Sequence, residues 1–429
     1  MDTIFAQATA PGRAGVSIVR ISGPDADRCL AAFGVKTLPE ARQSALRRLF
    51  VNDELLDQAL VLRFPRHHSF TGEAVVELHL HGSQAVVRKT LQALGDIPGH
   101  RMAEAGEFTH RALQNNRMDE TQVEALADLI DAETEAQRRQ ANIGFSGAFA
   151  KRIEDWRQHL LRAAALTEAS IDFADEEIPT DVFPEVAEIL KSLTREFCAE
   201  IDHAKYAERI RDGFVVAIVG APNVGKSTLL NRIAGRQAAI TSEIAGTTRD
   251  VIEVKLDLAG LPVTFLDTAG LRKTDDQIEA IGVGLALARA KEADLRIFLG
   301  NAADFTRELL VDEDLQVSEK ADLQTKCGDL AVSGLTGQGV DELLTRVSEV
   351  LLGRFPGQGS ATRERHQQAL RVALEDLEDA RALLKYDIIQ AELVAEAIRK
   401  AIAALDSLVG RIGVEDLLGE IFSSFCIGK

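Results

Sequence analysis

The sequence predicts a multidomain protein with an α+β N-terminal domain, an all-α helical bundle and an α/β domain inserted into that bundle. Its 429 residues are too many for one ordinary hydrophobic core. Near residue 118 the apolar pattern changes from short strand-like runs to helical spacing. The helical spacing stops near 213 and returns after 353, close to Pro356. The predicted domain boundaries are therefore 1–117, 118–212, 213–353 and 354–429.

The N-terminal segment has the sequence pattern of an α+β domain. Apolar and polar residues alternate at 16–21 and 75–80, as in half-buried strands, and residues 57–64 form a third predicted strand. Residues 83–94 have the spacing of a helix.

The two segments that flank the insert are predicted to form one helical bundle. Val123 and Leu126 lie on one predicted helix face, and Ile153 and Trp156 lie on another. A third helix is predicted at about 186–210. An insertion into such a bundle is tolerated where the two ends of the inserted domain lie close together.

The insert contains a phosphate-binding motif at residues 220–227, which read Gly-Ala-Pro-Asn-Val-Gly-Lys-Ser. The β-branched run 214–219 predicts a buried parallel strand before the motif, and a helical pattern around Leu229 follows it. This context argues against a chance glycine turn, because loop and helix N–H groups then surround an anionic phosphate chain. Lys226 is predicted to reach the β- and γ-phosphates, and Ser227 to ligate Mg²⁺. The predicted contacts of this loop are Asn223, Val224, Gly225, Lys226, Ser227 and Thr228.

Two further motifs follow in the order of a P-loop GTPase (Ras-like) domain. Residues 246–250 read Gly-Thr-Thr-Arg-Asp and supply a threonine for the Mg²⁺ shell. Residues 267–270 read Asp-Thr-Ala-Gly after an apolar strand, so Asp267 can hold the metal through water and the Gly270 N–H can sense the γ-phosphate. This order resembles the translation-factor-related GTPases and favours GTP as the ligand. The predicted residues of these motifs are Gly246, Thr247, Thr248, Asp267, Thr268, Ala269 and Gly270.

The guanine-binding motif departs from the usual Asn-Lys-x-Asp. Lys320 and Asp322 are in place, but Glu319 replaces the asparagine. A carboxylate cannot donate the hydrogen bonds of an amide, so weaker guanine affinity is expected. The predicted residues of the last base-side motif are Ser333, Gly334 and Leu335.

The group that orients the attacking water must also differ from Ras-like proteins, which place a glutamine directly after Asp-x-x-Gly. Leu271 stands there and cannot orient water. Asn223 lies where some of these GTPases ligate K⁺, a cation that can supply the charge of an arginine finger. Glu279 is a candidate for orienting the water, although exposure on a helix is the commoner role for a glutamate.

Composition predicts a cytoplasmic protein without a membrane segment. The formal net charge is −18, which leaves any nucleic-acid contact to a local basic patch. The four cysteines have neither C-x-x-C nor zinc-site spacing, as expected of reduced thiols. The N-terminus lacks the pattern of a signal peptide, and no stretch approaches the ~20 apolar residues of a membrane span.

Nearly the whole chain resembles the MnmE (TrmE) family of tRNA modification GTPases. The C-terminal residues 422–429 read Phe-Ser-Ser-Phe-Cys-Ile-Gly-Lys, and chains of that family end in Cys-x-Gly-Lys. Other segments that look like the family are 2–9, 15–23, 70–73, 106–112 and 125–130.

This resemblance implies a defined activity and defined partners. Members of the family are cytosolic homodimers that work with the flavoprotein MnmG (GidA) in a heterotetramer. Together they add an aminomethyl or carboxymethylaminomethyl group to C5 of the wobble uridine, position 34, of certain tRNAs. Their G domains meet on binding GTP and K⁺. Their N-terminal domain makes the constitutive dimer and binds 5-formyltetrahydrofolate or another one-carbon tetrahydrofolate.

The resemblance also implies roles for single residues. Glu279 takes the water-orienting position, and Cys426 is required for tRNA modification but not for GTP hydrolysis. The family usually has lysine where this chain has Arg117, which keeps the charge but changes the donor geometry. The implied folate contacts are Arg20, Glu77, Arg117 and Lys429. The implied K⁺ ligands are Asn223, Ser242, Ile244 through its carbonyl, and Thr247, and the implied Mg²⁺ ligands are Ser227 and Thr248.

Two other functions fit parts of the sequence. A ribosome-assembly GTPase switch would share the nucleotide motifs, but the acidic charge and the lack of a recognisable RNA-binding module disfavour it. A degenerate GTPase that serves as a dimerisation scaffold is suggested by Glu319.

Overall fold

The chain divides into two compact units, Met1–Ala127 with Asp406–Lys429, and Asp128–Leu405. The computed structural model describes residues 2–172, 182–221, 223–235, 253–267, 288–300, 314–322, 330–354, 359–386, 389–410 and 428. The four domain boundaries drawn from the sequence stay a prediction.

The first unit has the predicted α+β class, because short helices accompany a six-stranded sheet. Its elements are β1 (Thr3–Gln7), β2 (Ala14–Ser22), α1 (Arg28–Ala32), β3 (Ala45–Val51), β4 (Glu54–Phe64), β5 (Val75–Gly82), α2 (Gln84–Gly95), β6 (His100–Met102), α3 (Glu107–Gln114) and the start of α4 (Glu120–Asp131). The strand order is β3-β4-β5-β2-β1-β6, and only the pair β1–β6 is parallel. The three predicted strands and the predicted helix correspond to β2, β4, β5 and α2.

The two faces of this sheet have different surroundings. One face packs on α1 and α2 through a core that includes Phe5, Val19 and Leu78. Phe108 of α3 packs on part of the opposite face. Successive strand residues point to opposite faces, so Arg20 projects from the face opposite to its neighbour Val19. This second face carries two of the predicted folate residues, Arg20 of β2 and its cross-strand neighbour Glu77 of β5.

The second unit combines long helices with a five-stranded, mainly parallel sheet, as predicted for a bundle with an inserted α/β domain. Its elements are α5 (Glu135–Phe145), α6 (Ala148–Asp172), α7 (Phe183–Asp212), β7 (Phe214–Gly220), α8 (Lys226–Ala234), β8 (Glu253–Leu258), β9 (Leu261–Asp267), β10 (Leu295–Leu299), β11 (Leu315–Val317), α9 (Val340–Arg354), α10 (Glu364–Leu383) and α11 (Ala391–Leu408). The strand order is β11-β10-β7-β9-β8, and β8 is the antiparallel edge strand.

Helix α7 is the centre of the helical part, and it contacts α5, α6 and α10. Local sequence supports its start, since Pro184 occupies the first turn, where no N–H donor is needed. Trp156 of α6 packs edge-on against Phe197 of α7 with ring centroids 4.9 Å apart. Trp156 is therefore a packing residue. Within the described residues, no helix is both long enough and apolar enough to cross a bilayer.

Side chains of α7 hold the segment in which the chain returns from the sheet to the helices. The Glu200 carboxylate is 3% exposed and accepts the Ala361 N–H at 2.8 Å, and the Ser360 N–H donates to the same oxygen. The Arg211 guanidinium donates to the Thr362 carbonyl oxygen at 2.8 Å. Because β7 starts just after Arg211, the outgoing and returning chain segments lie side by side.

Candidate functional site

The predicted phosphate-binding loop connects β7 to α8 at the carboxyl edge of the parallel sheet. Strand β7 is buried almost throughout, as expected of a central parallel strand. A Cβ atom on Gly220 would lie 2.6 Å from the Leu299 carbonyl oxygen, so only glycine fits there. Asn223 and Gly225 have φ angles of 62° and 109°, in the left-handed region. This sharp turn leads into the N-terminus of α8, where backbone N–H groups favour an anion.

Lys226 is folded back over this loop. Its Nζ atom donates to the carbonyl oxygens of Gly220 at 2.8 Å and Ala221 at 2.9 Å. Burial lowers the pKa of the Lys226 ammonium, and the charge of Asp267 opposes that effect. A charged phosphate oxygen is a stronger partner for an ammonium than a neutral carbonyl. The ammonium can therefore exchange these carbonyl contacts for the phosphates of a nucleotide.

Ser227 and Asp267 form an oxygen pair next to the loop. The Ser227 hydroxyl donates to Asp267 Oδ2 at 2.6 Å, and Asp267 is the last residue of β9. Asp267 Oδ1 is buried and has no hydrogen-bond partner among the described residues. Mg²⁺ prefers oxygen ligands and keeps several of its waters, which would satisfy such an oxygen. The oxygens of Ser227 and Asp267 therefore fit a Mg²⁺ site.

The two predicted base-side segments adjoin each other and α8. The Ala321 N–H donates to the Val332 carbonyl oxygen at 3.1 Å, which joins the two loops. A Cβ atom on Gly334 would lie 2.7 Å from the Leu229 nitrogen, so this loop packs closely on α8. Arg232 Nε of α8 donates to the Gly334 carbonyl oxygen at 3.2 Å. The predicted base contacts in these two loops are Lys320, Asp322, Ser333, Gly334 and Leu335.

Several predicted site residues lie outside the described part of the chain. They are Ser242, Ile244, Gly246, Thr247, Thr248, Thr268, Ala269, Gly270, Glu279, Cys426 and Lys429. Their assigned roles stay predictions.

In the first unit, Arg20 and Glu77 form an ion pair across β2 and β5. They are directly opposed in the strand register, with Arg20 Nε 2.9 Å from Glu77 Oε1. The Arg20 guanidinium also lies 5.4 Å from the Phe70 ring centroid and 5.8 Å from that of Phe108. His79, two residues along β5, places Nε2 3.4 Å from Glu77 Oε2. The structure thus brings two of the predicted folate residues into contact beside aromatic rings.

Arg117 lies against the loop that carries Phe70. A Cβ atom on Gly72 would lie 3.2 Å from Arg117 Cγ, so the stem of Arg117 borders this loop. The neighbouring Asn115 amide donates to the Thr71 carbonyl oxygen at 2.8 Å. Two cations and a carboxylate in this region can serve a ligand with an anionic tail and a ring that donates hydrogen bonds.

Sequence reasoning missed the buried charges that hold this loop in place. Arg111 Nη2 lies 2.9 Å from Asp2 Oδ1 and from Glu107 Oε1, and Arg111 Nη1 lies 3.2 Å from Glu73 Oε2. Ser22 of β2 donates to Glu73 at 2.7 Å. Glu73 and Arg111 belong to two of the segments on which the family resemblance depended, but no local spacing indicates that they pair. The network anchors the end of the loop that carries Phe70.

These features define a class of protein: a P-loop nucleotide-binding domain of the GTPase type, inserted into a helical protein with a separate α+β unit. Comparison with known families agrees with this class. The family model described as "MnmE helical domain" matches residues 121–426, and the model described as "GTP-binding protein TrmE N-terminus" matches residues 3–117.

Full-length relatives identify the family. Two strains of Cereibacter sphaeroides have proteins named "tRNA modification GTPase MnmE" that are 58% and 59% identical over 433 and 430 residues, covering all of both chains. A protein of the same name from Roseobacter denitrificans is 55% identical over 435 residues, again over both full lengths. The chain belongs to the MnmE family of tRNA modification GTPases, which confirms the resemblance seen in its motifs.

Proposed function

We propose that the protein is a K⁺-dependent GTPase in the cytoplasm that acts with an MnmG-type flavoprotein on tRNA. The two would add an aminomethyl or carboxymethylaminomethyl group to C5 of the wobble uridine. One observation carries the proposal: full-length relatives named as tRNA modification GTPases accompany a site in which Lys226, Ser227 and Asp267 converge on the phosphate loop.

In the nucleotide site, each described residue has a distinct task. Lys226 neutralises the β- and γ-phosphates once it leaves the loop carbonyls. Ser227 and Asp267 hold Mg²⁺, together with Thr248. When bound, the metal neutralises charge that develops on the transferred phosphoryl group. The loops of Lys320–Asp322 and Ser333–Leu335 hold the base.

Potassium is the proposed source of the remaining positive charge. Asn223 would ligate K⁺ from the phosphate loop, and its left-handed φ of 62° places it at the sharp part of that turn. The other proposed ligands are Ser242, Ile244 and Thr247. Glu279 would orient the water. GTP turnover measured in potassium and in sodium buffer tests the proposal directly, and equal rates would contradict it. Glu279→Ala should lose turnover while nucleotide binding survives.

A one-carbon tetrahydrofolate is the proposed ligand of the first unit. Glu77 can accept hydrogen bonds from the amino and ring N–H groups of a pterin, because an ionised carboxylate is an acceptor only. Arg20, Arg117 and Lys429 would neutralise the carboxylates of the folate tail. The contact between Arg20 and Glu77, beside Phe70, supports a site at this position.

A homodimer through the first unit is proposed, and the exposed sheet face supports it. Leu46 of β3 and Leu60 of β4 are direct cross-strand neighbours and are 54% and 44% exposed. Val16 of β2 is 53% exposed. Several large apolar side chains that are exposed to solvent on the same sheet are typical of an interaction surface. Two protomers and two flavoprotein subunits would form the heterotetramer.

Mass spectrometry of tRNA nucleosides from cells that lack this gene tests the modification step. Loss of the modified wobble uridine is expected, and its persistence would contradict the proposal. Complementation with Cys426→Ser separates the two activities. This variant should keep GTPase activity and fail to restore the modified uridine.

A further inference from the structure

Glu319 occupies a defined position between the phosphate loop and the base-side loops. It follows β11, and the carboxyl end of β10 lies beside it, because the Gly300 N–H donates to the Val317 carbonyl oxygen at 2.9 Å. A Cβ atom on Gly300 would lie 3.0 Å from Glu319 Oε2 and 3.4 Å from Val224 Cγ2. A single point in the structure is thus close to both the carboxylate and the phosphate loop. The Glu319 side chain therefore reaches across the end of β10 towards the nucleotide site.

The order of the strands shows which part of a nucleotide would face this carboxylate. The oxygen pair for Mg²⁺ lies at the ends of β7 and β9, whereas Glu319 lies on the other side of β7, beyond β10. The base-side loops also lie there, next to α8. In an anti nucleotide, the C8–N7 edge of the purine is nearer the 5′-phosphates than the Watson–Crick edge. A group between phosphate loop and base therefore faces the N7 edge and the adjacent 6-position.

We infer that Glu319 is a specificity-determining residue that weakens guanine binding and narrows the preference for guanine over adenine. The N7 and O6 atoms of guanine are both acceptors, while adenine presents a donor, the N6 amino group, at the 6-position. An ionised carboxylate only accepts hydrogen bonds, so it repels the guanine edge and can accept from adenine. The inference rests on the proposed GTPase function and adds a residue that sets base selectivity in that same site.

Binding of GTP, GDP and ATP to the full-length protein tests this inference by calorimetry or by competition with a fluorescent nucleotide. Glu319→Asn replaces the carboxylate with an amide that can donate to the guanine edge. It should tighten GTP and GDP binding roughly tenfold, which is the upper range for one hydrogen bond. ATP binding should not tighten, so the ratio of GTP to ATP affinity should rise by about the same factor. Glu319→Gln keeps the side-chain length, removes the charge and should shift the ratio in the same direction.

A matched control separates this effect from a general loss of negative charge. Glu342 is an exposed carboxylate on α9 of the same unit, and Glu342→Gln should leave both affinities unchanged. Equal tightening of GTP and ATP in Glu319→Asn would overturn the inference, because the carboxylate would then act on the phosphates. An unchanged ratio in both Glu319 variants would overturn it as well. Failure of wild type and Glu319→Asn alike to bind GTP would instead refute the proposed GTPase function.

Discussion

The buried carboxylate of Glu200 offers a sharp test of how the returning chain is attached to the helices. Glu200→Ala removes the acceptor for the Ala361 N–H, which is buried, and for the Ser360 N–H, which is half-buried. A buried donor left without a partner costs about 1–3 kcal/mol. Water can replace the contacts of Ser360 and of Arg152, whose side chain is 47% exposed, so their loss adds little. We therefore expect a loss of about 1–3 kcal/mol.

Thermal unfolding and hydrogen exchange measure this loss in complementary ways. For a unit that spans residues 128–405, a loss of that order lowers Tm by roughly 2–6 °C. The amide of Ala361 should also exchange faster than in wild type. Glu188→Ala on the same helix is the control, because the Glu188 side chain is 74% exposed and its one ion pair within the described part of the chain is with Lys191 at the surface. The reasoning is refuted if Glu200→Ala melts within about 1 °C of this control and exchange at Ala361 is unchanged.

Three further predictions concern other parts of the molecule. Glu77→Gln should weaken binding of 5-formyltetrahydrofolate at least tenfold, as judged by the usual strength of hydrogen bonds to charged groups; calorimetry checks this, and GTP binding should not change. Burial acts to raise the pKa of the Asp57 carboxyl, but hydrogen bonds from His81 and from the Gln58 N–H outweigh it and hold the pKa below its usual value. A lowered carboxyl pKa stabilises the fold above the unfolded value, and the effect fades as the pH falls through the native pKa. Asp57→Asn should therefore lower Tm at neutral pH and approach wild type in acid, and a constant gap at every pH would contradict the reasoning. Gly300→Ala should cost about 1–2 kcal/mol, because φ is +91° and the new Cβ would lie 3.0 Å from the Glu319 carboxylate. Its control in chemical denaturation is Gly353→Ala, where the new Cβ would have no atom of the described residues within 4 Å outside its own helix and chain neighbours.

Local patterns predicted the elements whose signals lie within a few consecutive residues. Strand β7 and the start of α8 were predicted because a β-branched run and a glycine-lysine turn are adjacent in the chain. Strands β10 and β11 were not predicted, since segments of five and three residues, each with one polar side chain, are too short to show a period that distinguishes a strand from a buried turn. Their pairing with β7 follows from tertiary packing.

Whether a functional contact could be predicted also depended on how far apart its residues lie in the sequence. Lys226 and Ser227 were predicted from one short motif and lie at the turn as expected. Arg20 and Glu77 are 57 positions apart, and only the family resemblance connected them before the strand register showed their contact. Nothing local predicts that Glu200 meets Ala361, because 161 positions separate them and a single carboxylate on a helix carries no sign of its partner.

The contact between Arg211 and Thr362 has a consequence for the architecture of the chain. Because the Arg211 guanidinium donates to the Thr362 carbonyl oxygen, the chain leaves the helices and returns to them at nearly the same place. The segment between these two points can in principle be excised and the helices rejoined by a short linker, without stretching either helix. The nucleotide-binding part is thus joined to the helices by two adjacent chain segments. A conformational change caused by GTP can reach the helices only through these two segments or through the surfaces on which the two parts pack.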